Sequence, residues 1–424
     1  MKAFPIYHVR RLSLFQPLAV RNFRLLFLGH CGSMLGDQFY LIALPLLVYA
    51  LTDSNLMLGT VLLVSGAVRS AFLLMGGALS DRFSPRVLML CAYLLGAAVT
   101  SLTALAVHLN VTQQWHLFLL GGCFGLVEAT FLPAYQSMTP ALVSRDQLVA
   151  SNSLLRSAVR LMGVIGPAAA GIVIKGAGFA AAFAFDALSF VFAFVMIGMI
   201  RMPPVDDADA AEAAAPRQPL LRSIAEGWHY TLRNRSLRSL CVYIMAFEFG
   251  ATGADYVGLP AFARLYFGEE NEGARALGAL ASSLAAGLLL GMVLAGSLDA
   301  FKREGRATTM MTVLMAASVI GLAFASTLLP ACAAIFAFGV ASGVVSIIVQ
   351  ARIQMASDKR MLGRVMSILM LGVSLSEMVA FALNGALADW NLRVVFLLAG
   401  LMMGISLVAW IASQRGVEAD SPAS

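Results

Sequence analysis

The sequence predicts an all-α polytopic membrane protein, with twelve transmembrane helices in two pseudo-symmetric six-helix bundles. Three observations predict it. Of 424 residues, 60% are hydrophobic and 12% are charged, about half the charged share of a soluble domain. The apolar residues gather into twelve runs, each long enough to cross a bilayer at about 20 residues per crossing. The basic residues collect on one side of those runs. Such a composition excludes a disordered or collagen-like chain. Twelve crossings use roughly 240 residues, which leaves no length for a large soluble catalytic domain. The net charge of +6 therefore says less about a nucleic-acid partner than about orientation in the bilayer, and we expect no nucleic acid to bind.

The chain opens on MKAFPIYHVRRLSLFQPL. This stretch is basic, but a cleavable signal needs a short apolar core and a small-residue cleavage site. Instead the run beginning at Leu25 continues to Leu51, so it reads as the first span. The twelve spans fall at 24–50, 56–80, 87–109, 116–141, 150–175, 179–200, 238–263, 276–298, 307–328, 330–354, 365–388 and 391–413. The shortest breaks between them are TDSN at 52–55, KGAG at 175–178 and LLP at 328–330. The last is the weakest boundary, marked only by Thr327 and Pro330.

Lys and Arg placement tests the count. With the N-terminus inside, the outer side holds Lys175, Arg264, Arg275 and Arg393, against 21 basic residues on the inner side. Basic residues stay cytoplasmic, so both termini are expected in the cytoplasm and the chain in the cell inner membrane. An odd number of spans would scramble the bias.

Residues 201–237 form the one long hydrophilic break. DDADAAEAAAPRQP is rich in Ala, Asp and Pro and reads as flexible. LLRSIAEGWHYTLRNRSL reads as an amphipathic helix lying on the cytoplasmic interface. The break divides the chain into an N-terminal bundle (1–200), a linker (201–237) and a C-terminal bundle with a short tail (238–424). The bundles echo each other. GGALSDRFSPR follows the second span and GSLDAFKREGR the eighth, with Asp81 and Asp299 separated by 218 residues. Asp146 and Asp358, after the fourth and tenth spans, are separated by 212. Similar offsets at two places indicate a duplicated six-helix unit.

Twelve spans in two halves, with a basic turn after the second, resemble the major facilitator superfamily over nearly the whole chain. The most specific part is the loop motif G-x-L-x-D-R-x-G-R-R, which reads here Gly77-Ala-Leu79-Ser-Asp81-Arg82-Phe-Ser84-Pro85-Arg86. Gly77, Leu79, Asp81, Arg82 and Arg86 match. Ser84 and Pro85 replace a Gly and an Arg. The resemblance implies a cytoplasmic gating loop, in which Asp81 caps a helix end, pairs with an arginine of a neighbouring helix and releases when the halves rock. The bland alternative is a plain basic loop.

A second motif, Gly163-Val-Ile-Gly166-Pro167-Ala-Ala-Ala-Gly171 in the fifth span, is similar to the family's antiporter motif, which is associated with export. Gly-Pro removes a backbone hydrogen bond and kinks the helix, and the small residues let another helix approach. Generic small-residue packing is the alternative. GSMLGDQFYLIALPLLVYALT (32–52), Pro133, Pro140 and GRVMS (363–367) resemble the drug and siderophore exporter branch, which includes macrolide-efflux and enterobactin-exporter-like proteins. The resemblance implies proton-coupled antiport of a small amphipathic molecule by alternating access, and multidrug resistance or siderophore export as the physiological outcome.

An ionisable side chain at mid-bilayer is costly and marks a cavity or a partner. Asp37 and Arg69 lie about halfway along the first two spans, at matching depth by the helical rise, so an Asp37–Arg69 pair is expected. His30, Ser33 and Asp37 share one helix face and read as a cavity wall. Glu128 and Arg160 form a second candidate pair, with Arg156 and Asn152 continuing the face of Arg160. Glu248 and Glu377 lie near mid-depth with no base at comparable depth in their half. Asp255 sits further out, and Asp186 reads as structural. A carboxyl group without a basic partner can take up and release a proton near neutral pH, which makes Glu128, Glu248, Glu377 and Asp37 the proton-carrier candidates. The proton-coupling and cavity set is thus Asp37, Arg69, Glu128, Arg160, Glu248, Asp255 and Glu377.

No catalytic, metal or cofactor site is expected, and the molecule is expected to act as a monomer with protons, a small-molecule substrate and the lipid bilayer as its partners. Cys31, Cys91, Cys123, Cys241 and Cys332 lie inside apolar runs with no metal or disulfide spacing. No phosphate loop surrounds any of the four lysines. Uptake of a nutrient or ion on the same fold is the rival reading, and a membrane enzyme or sensor a more distant one. Acids outnumber bases at membrane depth, which leans toward a cationic or neutral drug. The arginines of the N-half keep an anionic siderophore open.

Overall fold

The computed structural model describes residues 15–82, 84–202, 220–268, 271–297, 304–358 and 361–420, with side chains throughout except at 74–82, 132, 145, 220–225, 227, 271, 297 and 415–420. Every long element among them is a helix. In order these are α1 (Arg21–Thr52), α2 (Asn55–Arg82), α3 (Pro85–His108), α4 (Gln114–Leu142), α5 (Leu148–Gly198), α6 (Leu220–Arg233), α7 (Arg235–Thr252), α8 (Leu259–Phe267), α9 (Asn271–Ser297), α10 (Glu304–Leu322), α11 (Leu328–Ala356), α12 (Leu362–Trp390) and α13 (Leu392–Asp420).

Ten of these helices are long and apolar enough to cross a membrane. The expected twelve spans correspond to the helices with three local differences. The fifth and sixth spans are the two limbs of α5, which turns back at Gly178 with φ 77° and ψ 179°. Such a positive φ is open to glycine and strained for other residues. The seventh span is α7 and α8 joined by a π-helical segment, Gly253–Gly258, so no single regular helix covers it. The ninth span ends earlier than expected, at Leu322, and α11 begins at Leu328. Pro330 then falls in the first turn of α11, where its missing N–H has no intrahelical acceptor to lose.

Two loop readings are explained by caps. Ser84 is the N-cap of α3, its hydroxyl accepting from the Val87 N–H, and Pro85 takes the first helical position. Ser then Pro is a strong helix start, which accounts for the two departures from the loop motif. The expected amphipathic helix of the linker is α6, and Asn234 caps α7 by accepting from the Leu237 N–H at 3.1 Å. The Ala/Asp/Pro-rich stretch of the linker lies outside the described residues.

Within the first six spans α1 packs on α5, α3 on α4 and α5, and α2 on α4; within the last six α9 and α10 pack on α11, and α13 on α7 and α10. The two halves meet along two seams, α2 against α12 and α5 against α9. One face of the bundle carries α6, the start of α1 and the end of α13, here the linker face. The opposite, far face carries the α1–α2 turn, Gly178, the start of α9 and the end of α12.

Candidate functional site

The seams are built on glycine. A Cβ at Gly59 of α2 would lie 2.2 Å from the Phe381 carbonyl oxygen of α12. One at Gly171 of α5 would lie 2.5 Å from the Ala274 oxygen of α9, and one at Gly278 would lie 2.4 Å from the Pro167 oxygen. Only glycine permits these backbone approaches. The Ala168 N–H donates to Ser282 Oγ across the α5–α9 seam at 3.0 Å.

Charges tie the same seams at the far face. The Asp389 carboxylate, at the end of α12, accepts from the Asn55 N–H (2.6 Å), the Leu56 N–H (3.0 Å), Asn55 Nδ2 (2.9 Å) and Ser54 Oγ (2.9 Å). One half thereby caps the N-terminus of α2 in the other. Arg264 of α8 pairs with Asp53 and lies 4.9 Å over the Tyr49 ring. Lys175 pairs with Glu272.

Deeper along the α2–α12 seam sits the central charge cluster. Arg69 of α2 holds Glu128 of α4 at 3.3 Å and pairs closely with Glu377 of α12. This replaces the expected pairings: Arg69 is not joined to Asp37, nor Glu128 to Arg160. Which way each side chain faces around its helix selects other partners than depth alone suggests. Glu377, for which no base was expected at comparable depth in its own half, takes one from the other half. Glu248 of α7 is half-buried and within electrostatic reach of Glu377.

The other candidates spread outward from this cluster. Asp37 is half-buried, whereas His30 and Ser33 are only 3% and 2% exposed. His30 packs against Phe131 and Tyr135, so the His30–Ser33 stretch of the polar stripe of α1 is a packed face rather than an open wall. Asp186 is fully buried and Ser189 Oγ donates to its backbone carbonyl at 2.7 Å. Arg156 and Arg160 are exposed on α5. Asp255 lies in the π-helical segment, half-buried beside Tyr256, whose ring meets Phe381 edge-on at 5.8 Å.

The motif residues divide. Gly166 is contact-critical, since a Cβ there would lie 2.4 Å from Gln38 Cγ, while Gly163 has 3.8 Å of clearance to Ala285. Arg86 donates to the Ile197 and Gly198 carbonyls at the end of α5, within its own half. Gly77, Asp81 and Arg82 of the expected gating loop fall outside the described side chains.

Sequence reasoning missed Asp53, Arg264 and Asp389. Arg264 carried a signal, being one of the few basic residues on the outer side of the charge asymmetry. Asp389 carried none beyond its place at a span end. The π-helical segment is marked only by the glycines at 253 and 258.

Together the residues join the two bundles at the far face and link them deeper along the α2–α12 seam through one arginine. A family model described as Major Facilitator Superfamily matches residues 26–351 and 273–423. The enterobactin exporter EntS of Escherichia coli O1:K1 / APEC is 25% identical over 347 residues, covering 81% of this chain and 79% of that protein. The protein of the same name from Shigella boydii serotype 18 shares the same identity and coverage. Among solved structures, a bacterial homologue of the human lysosomal transporter Spinster in an inward-facing, unoccupied conformation superposes with a TM-score of 0.72 at 15% identity, covering 96% of this chain and all of that one. A bacterial homologue of the iron transporter ferroportin in its inward-facing state gives 0.68 at 15% identity, covering 93% and 99%. These structural likenesses are of fold.

Proposed function

From the premise that the chain belongs to the Major Facilitator Superfamily, whose model matches most of its length, we propose that it is a secondary active exporter of the cell inner membrane that exchanges protons for a small amphipathic molecule. We place both termini in the cytoplasm, the orientation the distribution of basic residues supports, with the linker face cytoplasmic and the far face outer. The single observation that carries the reading is Arg69, which holds a carboxylate from each half at the seam between them.

That arrangement couples protonation to movement. While Glu377 is ionised, its attraction for Arg69 holds α12 to α2 inside a site where water screens little. Substrate bound from the cytoplasmic side competes with that hold, and the halves separate at the outer side. Substrate then leaves, and a proton entering from the outer side is taken up by Glu377, or by Glu248 within its electrostatic reach, which removes a charge from the cluster and keeps the Arg69 pairing from re-forming until the proton is released. Return of the halves delivers the proton to the cytoplasm. Export is supported by the close α5–α9 approach that Gly171 and Gly278 permit, which gives the antiporter-like motif a structural use, and by the resemblance to enterobactin exporters. A siderophore or a lipophilic drug is accordingly the substrate class.

The test is direction of flux in inverted membrane vesicles energised by respiration, with a siderophore, a macrolide and an organic cation offered in parallel. Export predicts uphill accumulation inside the vesicles together with partial collapse of the proton gradient. Loss of accumulated substrate on energising the vesicles would instead indicate uptake in the cell. Glu248→Gln is expected to abolish proton-driven accumulation while the protein still folds. Unchanged transport across pH 6–8 (roughly a pH unit either side of neutral) in that variant would remove Glu248 from the proton path.

A further inference from the structure

The face of α5 that meets α9 does not end where the contact ends. Ala274 covers Gly171, Gly278 covers Pro167, and Ala285 reaches Gly163 at 3.8 Å. Continuing toward the linker face, the helical repeat brings Arg160 and then Arg156 onto this same face, and both are exposed. The two arginines therefore stand on the wall of the cleft, just inside the point where α5 and α9 part. Neither has an ion-pair partner among the described residues. Glu128, the carboxylate expected to neutralise Arg160, is held by Arg69 instead. Tyr135 of α4 is the neighbour within electrostatic reach of Arg156, and it contributes a phenol and no charge.

Two guanidiniums one turn apart, unneutralised and facing an opening between helices, carry an electrostatic cost that the fold does not relieve. Their donors are planar forks spaced about 6 Å apart at Cβ, a geometry matched to paired anionic oxygens. Resting on the reading of this cleft as the transport pathway, we propose that Arg156 and Arg160 are the specificity-determining residues of the substrate site, and that they select organic anions bearing adjacent acidic oxygens over the cations that a count of acids at membrane depth suggests. The central cluster, with its single arginine and two glutamates, is left for the proton. The substrate anion and the coupling proton thus occupy separate, neighbouring groups of residues.

Equilibrium binding to the purified full-length protein in nanodiscs tests this without requiring transport. Salicylate and citrate serve as anionic probes, and tetraphenylphosphonium as the cationic one. Wild-type protein is expected to bind at least one of the anions more tightly than the cation. Arg156→Gln or Arg160→Gln should each weaken anion binding roughly tenfold, and Arg160→Lys, which keeps charge but not the fork, should fall between. Ligand-free melting temperature and elution volume show whether each variant is folded, and Arg160→Lys supplies a reading if a glutamine variant is not. Binding of the cation in preference to both anions, no binding of either anion, or anion binding unaffected by all three substitutions would overturn the proposal. Anion binding that depends on the arginines, in a protein that fails the vesicle flux test, would leave this site standing and remove the exporter reading. Flux with arginine-independent binding would do the reverse.

Discussion

At Arg69 one guanidinium satisfies two carboxylates drawn from helices 59 and 308 residues away in sequence. A partly buried ion pair is costly to break because the surviving charge is left without compensation. Arg69→Gln and Glu377→Gln are each expected to destabilise the folded protein by roughly 1–3 kcal/mol. The double variant is expected to cost clearly less than their sum, because once one partner is gone the second substitution no longer breaks the Arg69–Glu377 pair. A double-mutant cycle on thermal unfolding in detergent reads the coupling, and additive values would show that the two side chains act independently. Counting along a helix was enough to expect Arg69 and Glu377 at similar levels. It could not show that they meet. Their contact depends on rotation about two helix axes and on which helices the halves place side by side, and neither is written in local spacing. The same ignorance of rotation produced the expected Asp37–Arg69 and Glu128–Arg160 pairs.

Among the elements, α5 and α2 carry the inter-half contacts in different ways, and each can be tested separately. Along α5, Gly163→Ala places a methyl group 3.8 Å from Ala285, an ordinary contact, whereas Gly171→Ala places one 2.5 Å from a backbone oxygen of α9. The first is expected to leave thermal stability unchanged. The second is expected to cost about 1–3 kcal/mol as the helices are forced apart. Equal melting temperatures for the two variants would show that the α5–α9 seam tolerates adjustment. In α2 the decisive feature is the remote cap. A side-chain cap contributes about 0.5–2 kcal/mol, so Asp389→Ala is expected to shift the closed-to-open balance at the outer face by a factor of roughly 2 to 30. Leu62 packs against Val257 and Ala388 behind that cap. A cysteine substituted there, with the native cysteines replaced, should react faster with an impermeant maleimide when Asp389 is also replaced. An unchanged labelling rate would mean that the cap does not hold the outer face shut. The motif in α5 was legible because small residues at helical spacing have a direct steric meaning. The cap was not, because donor and acceptor belong to different halves.

For the whole molecule, the charge asymmetry and the twelve apolar runs contained the architecture, and the duplicated offsets contained its two-fold plan. What they lacked was the state of the cleft. The far face is joined by three separate polar links, Asp389 to the α2 N-terminus, Arg264 to Asp53 and Lys175 to Glu272, and each joins one half to the other. Exposed ion pairs contribute little individually, about 0–1 kcal/mol, and a transporter requires that they be weak enough to break in every cycle. Rocking of the halves must therefore separate Asp53 from Arg264 by more than their side chains can span. Replacing both with cysteine in a protein lacking Cys31, Cys91, Cys123, Cys241 and Cys332, then bridging them with a reducible bifunctional thiosulfonate, should stop transport. A reductant should restore it. Before cross-linking, transport should be close to wild type, because the remaining two links still favour closure. If the bridged protein carried substrate at an undiminished rate, the outer face would have to open elsewhere, and a rocking motion about the central cluster would not describe this molecule.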